Sequence, residues 1–83
     1  MLFRTPQVLL GLEVEAKPPL ENLPRFQQMR TRFEEELGDD GRVNVRYSGT
    51  EPKARVMVEG LDEARIGAMA DELVKALLDE ISG

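Results

Sequence analysis

Arg42-Val43-Asn44-Val45-Arg46-Tyr47-Ser48-Gly49-Thr50-Glu51-Pro52-Lys53-Ala54-Arg55-Val56-Met57-Val58-Glu59 is the stretch that decides the fold. Two runs alternate apolar and polar residues with period two, and turn-forming residues separate them. Val43, Val45 and Tyr47 share one face of the first run; Ala54, Val56 and Val58 share one face of the second. Folded as an antiparallel hairpin, the inward faces must match. Tyr47 then lies opposite Ala54, Val45 opposite Val56, and Val43 opposite Val58. A one-residue slip would carry every apolar side chain into water, so the parity is well specified. The same register sets Arg46 opposite Arg55 on the outer face. Like charges directly opposite destabilise a sheet, and an anion between them would remove the conflict.

Working outward, Val8, Leu10, Leu12, Val14 and Ala16 alternate with a mostly polar set, which predicts a half-buried strand over 8–16 stopped by Pro18-Pro19. Leu9 stands out on the polar face of that strand. From about Leu23 the period changes: Phe26, Met29, Phe33 and Leu37 recur at helical spacing. Asn22 is placed to cap this helix, Pro24 is tolerated in its first turn, and Gly38 can end it with a positive φ. Gly38-Asp39-Asp40-Gly41 reads as a tight polar turn. After Gly60, Asp62 can cap a second helix with Glu63 at its positive end. Ile66, Met69, Ala70, Leu73, Leu77 and Ile81 form its stripe, and Gly67 costs it about 1 kcal/mol relative to Ala. The order is β-α-β-β-α. It predicts an α+β two-layer sandwich, a small and largely antiparallel sheet with two helices on one face.

Composition narrows the function. The 83 residues allow one small domain, taken as 1–83, with a thin core. Eleven Lys plus Arg stand against sixteen Asp plus Glu, a net charge of −5, which disfavours nucleic acid and anionic membranes as partners. Histidine and cysteine are absent, which excludes a Ser-His-Asp triad, His or Cys metal ligands, thiolate chemistry and disulfides. The longest uncharged, mainly apolar stretch, residues 5–12, is too short to span a bilayer, and residues 1–4 open no secretion signal. These features fit a cytoplasmic protein.

The charge is unevenly placed. Arg42, Arg46, Lys53 and Arg55 against Glu51 make residues 42–55 about +3, and the rest of the chain about −8. The connecting loop Ser48-Gly49-Thr50-Glu51-Pro52 carries two hydroxyls flanking a glycine. Glycine allows close backbone approach and positive φ, successive N–H groups can form an anion-binding concavity, and the arginine fork matches phosphate oxygens. These residues make either a phosphate or carboxylate pocket or a plain solvent-facing hairpin turn, since Ser, Gly, Thr and Pro are all turn formers. Glu34-Glu35-Glu36 and Asp39-Asp40 lack calcium-loop spacing and read as solvated surface. Ser48 has no identifiable base to make it a nucleophile. Met29, Met57 and Met69 read as core or near-core packing.

Arg46-Tyr47-Ser48-Gly49-Thr50-Glu51-Pro52, followed by Arg55-Val56-Met57-Val58-Glu59, resembles the phosphate-binding signature Arg-x-Ser-Gly-Thr-Glu-Pro of the C-terminal domain of the α-D-phosphohexomutases. The resemblance covers nearly the whole chain. Pro6-Gln7-Val8-Leu9-Leu10, Lys17-Pro18-Pro19-Leu20 and the Arg-Val-Met-Val-Glu strand are similar to the phosphoglucosamine mutase branch in particular. The resemblance implies a TATA-binding-protein-like fold, often with additional short strands beyond the three that are clear here. It implies a parent enzyme of four domains that interconverts glucosamine 6-phosphate and glucosamine 1-phosphate. The chain would be the fourth domain, excised or as a fragment. The parent's phosphoserine, Asp-rich magnesium loop and sugar-reading loop are not in this sequence, so the isolated chain is expected to be inactive, with no catalytic residue, metal or cofactor of its own. Carried over by position, Arg46, Ser48, Gly49 and Thr50 would grip the non-reacting phosphate of the phosphosugar. Arg55 would assist, and Glu51 and Pro52 would shape the loop. Expected partners are a hexosamine phosphate, through its phosphate, and the other three domains. The alternatives are the same domain of a phosphomannomutase or phosphoglucomutase, and a non-enzymatic α+β protein-interaction module.

Overall fold

The computed structural model describes residues 6–82. The expectation of no secretion signal at residues 1–4 lies outside the described residues. Strand β1 (Gln7–Glu13) leads through a 3₁₀ turn (Leu20–Asn22) into helix α1 (Pro24–Leu37). A second 3₁₀ turn (Gly38–Asp40) enters β2 (Arg42–Tyr47), then β3 (Lys53–Glu59) and helix α2 (Glu63–Ser82). The sheet order is β1-β3-β2, with β3 central and antiparallel to both neighbours. β1 and β2 are therefore parallel to each other, and β1-α1-β2 is a crossover split by β3.

The hairpin register is the one dictated by the alternation. Val43 pairs with Val58, Val45 with Val56, Arg46 with Arg55 and Tyr47 with Ala54. On the inner face Val43, Val45, Ala54, Val56 and Val58 are buried against Phe26 and Phe33 of α1 and against Ile66, Met69, Ala70, Leu73 and Leu77 of α2. Helix α2 packs on β1 and β3, and α1 packs on β2 and α2. Ile81 and Met29 sit partly buried at the margin of this core. Met57 is different: it belongs to the outer face, where the period-two pattern of β3 puts it, not to the core.

β1 ends at Glu13, short of the 8–16 expected, because its partner β3 begins at Lys53, opposite Glu13. The chain stays close beyond that point. Val14 is buried and its N–H donates to the Pro52 carbonyl at 2.8 Å, while Ala16 is exposed.

Helix α1 is capped in an unexpected way. Asn22 belongs to the 3₁₀ turn, and Leu23, buried in the core, occupies the cap position with no side-chain bond. The open donor is satisfied from a distance: the Phe26 N–H bonds Glu80 Oε1 of α2 at 2.6 Å. That carboxylate also meets the positive end of the helix. Gly38 ends α1 with φ 60°, and its N–H bonds the Glu34 carbonyl. Asp62 caps α2 as expected, accepting the Arg65 N–H at 3.2 Å. Gly41 is needed where β2 starts, since a Cβ there would collide with the Glu59 carbonyl. Nothing in the structure explains Gly67, around which a Cβ would meet no neighbour.

Candidate anion-binding site

With both helices on the inner face, the outer face presents its side chains in rows across the three strands. The register sets Gly11, Arg55 and Arg46 in one row and Leu9, Met57 and Asn44 in the next. Arg46 and Arg55 are exposed. β1 contributes only a glycine beside Arg55, so no side chain shields that guanidinium from its β1 side. Leu9, Asn44, Arg46, Arg55 and Met57 line one shallow groove, and Gly11, Leu12, Glu13, Lys53, Ala54 and Arg55 line another beside it.

The cations near the hairpin divide into two kinds. Arg42 Nε lies 3.4 Å from Glu59 Oε1, and Lys53 Nζ lies 3.2 Å from Glu51 Oε2. Among the described residues neither Arg46 nor Arg55 has an acidic partner. On the strands of the hairpin, the positive charge left to attract an anion is therefore this adjacent arginine pair.

The loop over 48–52 closes the end of the same face. Its base is held by Ser48 N–H to the Lys53 carbonyl at 2.8 Å and by Lys53 N–H to the Glu51 carbonyl at 2.8 Å. The N–H groups of Thr50 and Glu51 point to Ser48 Oγ at 3.4 and 3.3 Å. Both are longer than the usual range of about 2.7–3.2 Å, so these donors are loosely held. Ser48 Oγ accepts from two amides, which leaves its own proton to donate elsewhere. Gly49, Thr50, Glu51 and Pro52 are exposed, and Ser48 is half-buried. Gly49 does not use the positive φ expected of it: among the described glycines only Gly38 does. A Cβ on Gly49 would meet nothing within 4 Å. Neither the backbone conformation nor internal packing asks for glycine there. The space is open to solvent.

Tyr47 points inward, as its parity requires. Its hydroxyl is buried without a partner, and burial pushes its pKa upward. Arg46 and Arg55 pair near the end of the hairpin, and Ser48, Gly49, Thr50, Glu51 and Pro52 form the loop that joins the two strands at that end. Glu51 holds Lys53, and the Pro52 carbonyl anchors Val14. The arrangement can bind an anion through guanidinium, hydroxyl and amide donors. Among the described residues no carboxylate is hydrogen-bonded to the Ser48 or Thr50 hydroxyl.

Sequence reasoning missed one contact. Lys17 Nζ donates to the Ser48 carbonyl at 3.0 Å and to the Glu51 carbonyl at 3.2 Å. Lys17 reaches the loop only because β1 pairs with β3, and no local pattern encodes that pairing. A lone cation between a strand and Pro18-Pro19 was the only trace.

Among the described residues no group of three or more acidic side chains is placed to hold a metal ion. The described residues therefore do not fit magnesium. No described helix is long and apolar enough to cross a membrane.

Residues 9–76 match the family of the phosphoglucomutase/phosphomannomutase C-terminal domain. The phosphoglucosamine mutase of Sorangium cellulosum is 46% identical over 80 residues, covering 96% of this chain and 17% of that protein. That of Anaeromyxobacter is 49% identical over 72 residues, covering 87% of this chain and 15% of that protein. The chain thus spans about one sixth of the length of the curated relatives it matches. A crystal structure of Aspergillus fumigatus N-acetylphosphoglucosamine mutase, in complex with GlcNAc-6P and magnesium, superposes with a TM-score of 0.65. It is 22% identical and covers 95% of this chain and 16% of that one. This likeness concerns the fold, a TATA-binding-protein-like α+β sandwich. By the match over most of its length and the identity of its relatives, the chain belongs to the phosphoglucomutase/phosphomannomutase C-terminal domain family.

Proposed function

We propose that residues 1–83 are the phosphate-gripping C-terminal domain of a phosphoglucosamine mutase, a phosphosugar isomerase. The observation that carries this reading is the exposed, acid-free pair Arg46 and Arg55 beside the Ser48-Gly49-Thr50 loop on the open face of the sheet. The domain binds the non-reacting phosphate of a hexosamine phosphate. Arg46 and Arg55 neutralise its charge, Ser48 and Thr50 donate hydroxyl protons, and Gly49 lets the backbone approach. The fit is to either end of the substrate. A sugar that reacts at one carbon and then, turned round as a bisphosphate, at the other always has one distal phosphate to hold. Remote binding of that kind converts binding free energy into orientation at the reacting centre. A grip on a small end domain also permits closure over the substrate and exclusion of water.

The chemistry of phosphoryl transfer, with a phosphoserine and magnesium, then belongs to the other three domains of the parent, a cytoplasmic enzyme. The 83-residue chain alone is inactive. The relatives' names, phosphoglucosamine mutase, favour the hexosamine branch over the phosphomannomutase and phosphoglucomutase branches.

A titration of the ¹⁵N-labelled chain with inorganic phosphate tests this. Amide shifts confined to residues 46–55 are expected, saturating at millimolar concentration because one pocket holds only half of a site. Arg46→Ala removes charge-assisted bonds worth about 1.5–3 kcal/mol each when sheltered from water. It should lower phosphate affinity about tenfold or more and leave the melting temperature almost unchanged. No response at high phosphate, or the same response in Arg46→Ala, sinks the reading.

A further inference from the structure

We propose that Lys17 is a positioning residue of the anion loop. Its ammonium fixes the peptide plane between Ser48 and Gly49 and so aims the Gly49 N–H. This rests on the phosphate reading of the loop.

The argument starts from peptide geometry. All peptide bonds among the described residues are trans, so each C=O and the N–H that follows it point in opposite directions. Lys17 Nζ holds the Ser48 carbonyl at 3.0 Å, which turns the Gly49 N–H to the side away from Lys17. The same ammonium holds the Glu51 carbonyl at 3.2 Å. The next residue there is Pro52, which has no N–H to aim, so this second bond ties the far end of the loop to the same point. One cation thus ties the Ser48 and Glu51 carbonyls, at the two ends of the loop, to a single point. Those two oxygens are turned towards the ammonium, and the Gly49 N–H is left to the other side.

The placement of Lys17 is specific. Glu13 and Glu15 are close in sequence, yet Lys17 makes no ion pair among the described residues, and its bonds go to carbonyls more than thirty residues away. The strap that carries it is itself pinned to the loop, by the Val14 N–H on the Pro52 carbonyl at 2.8 Å. Pro18 and Pro19 follow and stiffen the chain on the other side. Without the ammonium the exposed Ser48–Gly49 peptide is free to rotate, and the flipped form presents a carbonyl to the phosphate.

The test uses the 83-residue chain, inorganic phosphate as probe, and amide NMR. Lys17→Met keeps the aliphatic stem and removes the charge. In the absence of phosphate it should shift the Gly49 amide while core amides of α2 and β3 stay in place. It should weaken phosphate binding about three- to tenfold, a modest loss because the bonds are exposed to water. Lys17→Arg should restore both readings to within about twofold of the native chain. Lys53→Met removes an equal charge from the same hairpin without touching those carbonyls, and should leave the Gly49 amide where it is. If Lys17→Met unfolds, Lys17→Gln is read in the same way. A native chain that responds to phosphate while Lys17→Met binds equally well, or no worse than Lys53→Met, overturns the role of Lys17 alone. A native chain that does not respond to phosphate at all overturns the phosphate reading and this one with it.

Discussion

Arg46 and Arg55 are Cα partners on β2 and β3, and neither has an acid beside it among the described residues. Two neighbouring guanidinium groups on an exposed sheet face work against the hairpin that carries them, whereas Arg42 in the same strand is neutralised by Glu59. Gly49 is the matching anomaly in the backbone. It has an ordinary φ and nothing within 4 Å of where a Cβ would stand. Gly49→Ala is therefore expected to fold normally, with stability within about 0.5 kcal/mol of the native chain as for surface changes generally. If the loop binds phosphate as proposed, the added methyl stands in the open space through which the anion would approach. Phosphate affinity should fall at least about tenfold, a loss of the order of the contacts it displaces. Thermal unfolding and the phosphate titration, run on the same sample, separate the two effects. A large fall in melting temperature would mean that the glycine serves the turn instead.

The hairpin was readable in the sequence because each of its strands buries one face, and a shift of one residue would expose Val43, Val45, Val56 and Val58 together. The position of β1 was not. Its alternation is satisfied at either edge of a sheet, and only the crossover through α1 places it beside β3. Two consequences of that placement were equally hidden, the shortening of β1 at Glu13 and the arrival of Lys17 at the loop. The cap of α1 was misread for the same physical reason. Asn22 has the right chemistry locally, but burial of Leu23 puts the chain into a 3₁₀ turn, and Glu80, from the far end of α2, supplies the acceptor. Glu80→Ala leaves the Phe26 N–H without its partner and should cost about 1–2 kcal/mol, the range for loss of a helix cap. Asn22→Ala should be close to neutral. Urea unfolding distinguishes them: the Glu80→Ala midpoint falls with an unchanged slope. Equal effects of the two substitutions would return the cap to Asn22.

At the scale of the molecule, one face of the sheet is closed by helices and the other stays open with its charge at one end. The −5 net charge keeps nucleic acid unattractive, while the unpaired arginines concentrate the positive potential where the loop closes the sheet. The two helices that close the inner face are also joined at the surface. Arg65 of α2 grips Glu36 of α1 through two bonds, Nε to Oε2 at 2.6 Å and Nη2 to Oε1 at 2.8 Å, and its guanidinium stands 5.6 Å from the centre of the Phe33 ring. The hydrogen bond from Arg65 and its charge hold the Glu36 carboxyl below its ordinary value of 4.5. A carboxylate with a lowered pKa in the folded state binds fewer protons there than in the unfolded chain. The stability it contributes is complete above 4.5 and is lost as the pH falls through the lowered value. Glu36→Gln removes that contribution at every pH. Between neutrality and pH 4.5 the native chain should melt above the variant by a constant small margin, small because both side chains are well exposed and screened. Below 4.5 the native curve should descend towards that of the variant and meet it in strong acid. Added salt should narrow the margin at neutral pH. Melting curves of both proteins from pH 7 down to strong acid would show this, and two parallel curves would remove Glu36 from the acid response and leave the ion pair without a role in joining α1 to α2.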